Sequence, residues 1–208
     1  NDLIYKLKSL HWTLIFLVFF LSIVGLVMIF SATKEEGLNA TTSQLMKLLL
    51  GFIVMFVVAI TNISVWQKYS FLLYIIGVSF LVYATFYGFI GKGSRRWINL
   101  LGINIQPSEI MKIFLILALA KFFDERKMEN FKEYFFLLIP IFLIILPFSI
   151  IITQPDLGTS VVLLSLGIVV FFVAGINFRF FIFCFLIFLI SSPLLWNSLH
   201  QYQRQRLL

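Results

Sequence analysis

A single cysteine, Cys184, excludes any disulfide within the chain, and its place inside an apolar run makes it a packed or lipid-facing thiol rather than a reactive one. Histidine is nearly absent too. His11 lies beside Trp12 and His200 near the far end, so the two form no metal-binding constellation and read as interfacial residues. Charge is scarce: Asp, Glu, Lys and Arg make up 12% of the 208 residues, against about 25% in a soluble domain. That deficit argues against a water-soluble fold. Linkers and low-complexity segments are missing, and so is the alternating pattern that a membrane barrel needs.

What fills the chain instead is hydrocarbon. Hydrophobic residues account for 61% of it, aromatics for 18%, and Phe alone occurs 26 times. A helical membrane crossing needs about 20 mostly apolar residues. Seven stretches qualify, near 12–31, 45–61, 70–89, 106–122, 134–152, 157–175 and 178–196. Four of them hold no charge. Lys47 and Arg179 stand at span edges, where a long cation can reach the surface. Only the stretch near 106–122 carries charge inside, Glu109 and Lys112. The expected fold class is therefore all-α, a polytopic membrane protein with a single integral membrane domain over 1–208 and about seven transmembrane helices in this chain. The first run exceeds the roughly 7–15-residue core of a signal peptide and lacks a small-residue cleavage site, which reads as a retained anchor.

Orientation is weakly encoded. With the N-terminus cytoplasmic, eight cations fall inside and seven outside, and Lys112 stays within a span. The positive-inside rule hardly separates the two orientations; Lys6 and Lys8 before the first span, against Lys34 after it, favour a cytoplasmic N-terminus. The loop with Lys92, Arg95 and Arg96 is then outside, against the usual bias. Those cations are either retained to bind something or form a solvated basic loop. "DERKMENFKE" (124–133) reads as a cytoplasmic turn, and Trp12, Trp66, Trp97 and Trp196 fall near span ends as an interfacial belt does. Pro140 and Pro147 in the fifth span predict kinks.

Two span starts share a spelling. "IQPSEIMK" (105–112) and "TQPDLGTS" (153–160) both put Gln-Pro before a run, and Pro suits a first helical turn because it has no N–H to lose there. Spans four and six run in the same direction, so both starts lie on one side, that of Arg95 and Arg96. Unpaired N–H groups at two helix starts beside two arginines make a seat for phosphate or pyrophosphate. The alternative reading makes Glu109 and Asp156 capping carboxylates that use the same N–H groups. Glu109 and Lys112, three apart, share a helix face and can pair; the pair is either structural or part of a polar site between helices. Gly158 either permits a close backbone approach or packs.

The spaced combination of Arg-Arg-Trp (95–97), Gln-Pro-Ser-Glu-x-x-Lys (106–112) and Gln-Pro-Asp-Leu-Gly-Thr (154–159), ending in "YQRQRLL", resembles the SEDS family of bacterial shape, elongation, division and sporulation proteins. "QPDLGT" and "YQRQR" (202–206) look more like its RodA, elongation branch than its FtsW, division branch. The resemblance covers nearly all of the chain and implies a peptidoglycan glycosyltransferase that polymerises lipid II, an undecaprenyl-pyrophosphate-linked disaccharide-peptide, in the bacterial cytoplasmic membrane. It implies a class B penicillin-binding protein as partner and no nucleic acid. The family has about ten spans, so by analogy this chain corresponds to the first seven. The carboxylate favoured as catalytic in the family would lie beyond Leu208, which leaves the catalytic residue of this chain unknown.

Carried over as substrate-binding or functional positions are Arg95, Arg96, Trp97, Glu109, Lys112 and Asp156. Arg95 or Arg96, with the helix starts, is assigned to the pyrophosphate. Glu109 and Lys112 shape the cavity, and Asp156 orients a sugar hydroxyl or holds a helix start. Arg204 and Arg206 are phosphate contacts or ordinary interfacial cations. No cofactor is identified, although the reading leaves room for a divalent metal. Two rival functions, a lipid-linked sugar flippase or other transporter and a non-catalytic scaffold, share the same membrane architecture. The flippase is the stronger, since charge within spans also serves carriers.

Overall fold

A computed structural model describes residues 6, 8, 10–32, 37–91, 94–100, 103–125, 134–154 and 156–198. Expectations placed on Lys34, Lys92, most of the 124–133 turn, His200 and the "YQRQR" segment lie outside the described residues. The elements run α1 (Trp12–Ala32), α2 (Gly37–Ile60), α3 (Ile63–Tyr87), β1 (Phe89–Gly91), β2 (Ser94–Leu100), β3 (Ile103–Ile105), α4 (Pro107–Asp124), a 3-10 turn (Tyr134–Leu137), α5 (Leu138–Thr153), α6 (Leu157–Val173) and α7 (Phe178–Ser198). The architecture is that of a helical polytopic membrane protein. Among the described residues, α1, Thr41–Ile60 of α2, and α3 are long and apolar enough to cross a membrane, while α5 and α6 are shorter apolar helices.

One feature departs from the span-and-loop reading. The segment between α3 and α4 forms a three-stranded antiparallel sheet in the order β1-β2-β3. β1 pairs Phe89 with Trp97 and Ile90 with Arg95; β2 pairs Ile98 with Ile105 and Asn99 with Asn104. The Asn99 amide donates to Asn104 Oδ1 at 2.9 Å, a cross-strand side-chain pair of the kind that fixes register.

The chain divides into two compact units, up to Val65 and from Trp66. In the first, α1 and α2 meet through an edge-on contact of Phe19 and Phe52, with ring centroids 6.0 Å apart. No side chain of α1 is buried, as suits a helix whose apolar surface is solvated by lipid.

The second unit holds the core. α3 buries Ser70, Tyr74, Gly77, Leu81 and Ala84, alternately four and three positions apart. This narrow stripe turns one side inward and leaves the rest for lipid. α5 does the same with Pro140, Ile144, Pro147 and Ile151, and α6 with Ser160, Leu163, Gly167 and Phe171. α4 buries more, including Met111, Leu115, Ala118 and Leu119.

Lipid is as apolar as leucine, so close packing and internal hydrogen bonds must hold these helices together. Two glycines supply the closeness. A Cβ on Gly77 would lie 2.7 Å from Met111 Sδ, and one on Gly167 would lie 2.6 Å from Ile144 Cδ1. Pro147, inside α5, cannot donate to the carbonyl four residues back, that of Leu143. The Tyr74 hydroxyl donates to that carbonyl instead, at 2.9 Å. The polar group freed by proline is satisfied from a neighbouring helix, the condition under which bundles tolerate proline.

Candidate functional site

The polar residues of the second unit gather where the sheet meets the starts of α4 and α6. Gln106 takes an extended conformation (φ −100°, ψ 109°) at the N-cap of α4, the backbone region that a following proline enforces. Pro107 then opens the helix. Gln106 makes no side-chain cap bond to its own helix. Its amide donates to Asp156 Oδ2 at 2.8 Å, across 50 positions of sequence. That bond requires the starts of α4 and α6 to share one end of the bundle.

Asp156 is the hub. It is the N-cap of α6 and is 7% exposed. Oδ1 accepts the Thr159 N–H at 3.4 Å, and Oδ2 accepts the Thr159 hydroxyl at 2.8 Å. Oδ2 also faces Arg96 Nη1 at 2.8 Å, in an ion pair whose side chains are 19% (Arg96) and 9% (Asp156) exposed. The same carboxylate therefore caps a helix, pairs with a guanidinium on the sheet and ties down α4.

The register of β2 slips by one residue between the pairs Ile90–Arg95 and Phe89–Trp97, so that Arg96 is the extra residue of a bulge, a device that re-aims a side chain. Arg96 pairs with Asp156. Arg95 is exposed, and its Nη1 donates to the Phe86 carbonyl at 3.5 Å. Trp97 is half-buried. Among the described residues, Arg96 Nε, Trp97 Nε1 and Ser108 Oγ are buried donors with no hydrogen-bond partner.

Glu109 and Lys112 form the expected pair on α4, at 2.8 Å. Glu109 is 57% exposed and Lys112 21%. Among the described residues their hydrogen bond is to each other, and neither joins the Asp156 network. Among the described residues no atom stands within 4 Å of where a Cβ on Gly158 would lie, so it packs against no neighbouring element there. Among the described residues no three His, Cys, Asp or Glu side chains are grouped to hold a metal.

Sequence reasoning missed Gln106 and Thr159 as partners of Asp156. The signal for Gln106 was its repetition, Gln-Pro before both starts, which was read for the proline alone. Chemically, the arrangement can do two things. It locks the sheet to two helix starts through one carboxylate. It also leaves an exposed cation, Arg95, next to the Arg96–Asp156 pair to face an incoming anion.

Comparison with known proteins agrees on one group. Peptidoglycan glycosyltransferase MrdB of Escherichia coli (strain K12) is 30% identical over 201 residues, covering 94% of this chain and 52% of its own length. Stage V sporulation protein E of Bacillus subtilis (strain 168) is 34% identical over 192 residues, covering 88% and 52%. The chain thus spans about half the length of the curated relatives it matches. Among solved structures, rod shape determining protein RodA of Thermus thermophilus superposes with a TM-score of 0.72 at 29% identity, over 90% of this chain and 60% of that one. A chain of a peptidoglycan synthase complex, reported for its structural coordination of polymerization and crosslinking, superposes with a TM-score of 0.81 at 28% identity, over 96% and 58%. The profile of the FtsW, RodA and SpoVE family, described as "Cell cycle protein", matches residues 11–208, and the chain belongs to that family.

Proposed function

We propose that the chain forms the donor-binding part of a peptidoglycan glycosyltransferase that polymerises lipid II during elongation and shape maintenance. It acts in the bacterial cytoplasmic membrane with its N-terminus in the cytoplasm, the sheet at the outer leaflet, and a class B penicillin-binding protein as partner. The observation that carries this reading is the convergence of Arg96 and two helix starts on Asp156 at one end of the bundle, with Arg95 exposed next to Arg96 on the same strand. The names of the relatives that match this half of their length support it.

In glycosyl transfer from a pyrophosphate donor, negative charge grows on the departing phosphate oxygen. Preorganised donors aimed at that oxygen lower the barrier. Arg95 is the exposed cation placed to meet it; at the start of α4, Pro107 has no N–H and the Glu109 N–H bonds the Gln106 carbonyl, so that helix start holds the site in shape and adds little to anion binding. Both oxygens of Asp156 are engaged by donors, so it holds the site in shape and does not serve as the acceptor's base. Glu109 and Lys112 form the polar wall of the cavity, and Trp97 the apolar one beside Arg95.

The test uses the full-length protein with its partner in liposomes and labelled lipid II. Glycan strands formed without nucleotide support the reading. Translocation of lipid II with no polymer assigns the chain to a flippase instead. Arg95→Cys labelled from outside by a membrane-impermeant reagent supports the orientation; labelling only after permeabilisation overturns it.

A further inference from the structure

The second Gln-Pro glutamine, Gln154, belongs to no role described so far, yet it is 3% exposed and fully committed. It ends α5, its backbone N–H bonding the Ile151 carbonyl at 3.1 Å. Its side-chain amide donates to the Leu81 carbonyl at 3.0 Å and to Thr85 Oγ1 at 2.8 Å. Thr85 in turn donates to the same Leu81 carbonyl at 2.9 Å. These acceptors sit in the last turns of α3, the segment that leads directly into β1.

Two residues after Gln154 comes Asp156, which grips Arg96 on β2. The connections therefore close a ring: from the end of α3 through β1 to β2, from Arg96 to Asp156, and from Gln154 back to the end of α3. A carboxylate held at one point can swing with its helix. One held on both sides of the ring has its distance from the sheet fixed, the second layer of support that a preorganised site requires.

We infer that Gln154 is a positioning residue, which sets Asp156, and through it Arg96 and the start of α6, in the geometry used by the substrate site. This rests on the donor-binding reading above. A merely structural glutamine would stabilise the bundle without acting through Asp156.

The experiment compares full-length wild type, Gln154→Leu, Asp156→Asn and the double variant, each with its partner in liposomes. Expected is a loss in kcat on the order of 10- to 100-fold for Gln154→Leu, with KM for lipid II little changed. The double variant should be no slower than Asp156→Asn alone, because both remove one unit. Losses that multiply overturn the inference. Hydrogen exchange of the unliganded protein gives a second readout. Amides 157–160 should exchange faster in Gln154→Leu while α4 amides keep their rates; unchanged exchange at 157–160, or a rise spread over the whole bundle, overturns it. Thr85→Val, which removes one acceptor at nearly constant volume, repeats both readouts if Gln154→Leu fails to fold. A wild type that makes no glycan defeats the functional reading alone, since exchange still decides the positioning.

Discussion

Removing the Arg96 side chain tests the node most directly. Arg96 Nη1 lies 2.8 Å from Asp156 Oδ2, with four-fifths of one side chain and nine-tenths of the other withdrawn from solvent. At an effective dielectric of about 20, two unit charges at that separation attract by about 6 kcal/mol. Desolvation offsets much of this, and breaking a buried pair by deleting one partner costs about 3–5 kcal/mol in general. Asp156 retains Gln106 and Thr159 as donors, and this places Arg96→Ala at or just below the lower end of that range, about 2–3 kcal/mol. Asp156→Leu leaves Arg96 unpaired but able to reach solvent, and should cost less through the pair itself, although it also removes the α6 cap. The double variant Arg96→Met/Asp156→Leu carries no orphaned charge, so a cycle of the four proteins should give a coupling of about 1.5–3 kcal/mol. Equilibrium unfolding of the full-length protein in mixed micelles measures it. A coupling below about 0.5 kcal/mol would mean that the pair is solvated and that Asp156 is not the hub.

Gly167→Ala should destabilise by about 2–3 kcal/mol, because three atoms of stiff, β-branched Ile144 stand within 3.2 Å of the new methyl. Gly77→Ala should cost about 1–2 kcal/mol, since flexible Met111 can yield but the Phe114 ring, 2.9 Å from the new methyl, must turn; wild-type unfolding midpoints in both variants would refute the packing account. Tyr74→Phe should cost about 1 kcal/mol by stranding the Leu143 carbonyl, and Pro147→Ala in that background should recover part of it by restoring an N–H; no recovery would detach the tyrosine from the proline. Arg95→Gln should leave the unfolding midpoint unchanged and raise KM for lipid II several-fold, about 1 kcal/mol of lost charge-assisted contact. A normal KM would remove Arg95 from the donor seat.

The helices were legible because a bilayer imposes a length and a composition on each crossing, and the chain meets both in nearly unbroken runs. The Glu109–Lys112 pair was legible for a similar reason, since helix geometry converts a spacing of three into proximity. The sheet was not. Its strands are three, seven and three residues long, too short to establish a period between two apolar runs. With the strand missed, the division of labour between Arg95 and Arg96 was hidden as well. Contacts that join residues far apart, such as Gln106 and Gln154 to their partners, follow from how the helices pack, and no local spacing encodes them.

The sequence leaves two uses open for Asp156, a helix cap or a participant in anion binding, and the geometry makes the first a condition for the second. By accepting from Thr159, the carboxylate closes the start of α6; by accepting from Arg96, it neutralises one of the two cations. Among the described residues of the sheet, the cation without a carboxylate partner is Arg95, whose guanidinium donates to the Phe86 carbonyl. An anion arriving here meets an exposed cation on the central strand of a sheet that is tied down through Arg96. On the proposed reading, selectivity for a pyrophosphate comes from a rigid position of modest charge, and a second free arginine would instead attract any phosphate at the membrane surface. Restoring that second charge, with Asp156→Asn freeing Arg96, should accordingly increase binding of inorganic pyrophosphate and of simple phospholipid headgroups alike, while lowering turnover of lipid II. Tighter binding of pyrophosphate with undiminished turnover would show that the neutralised pair has no part in selection.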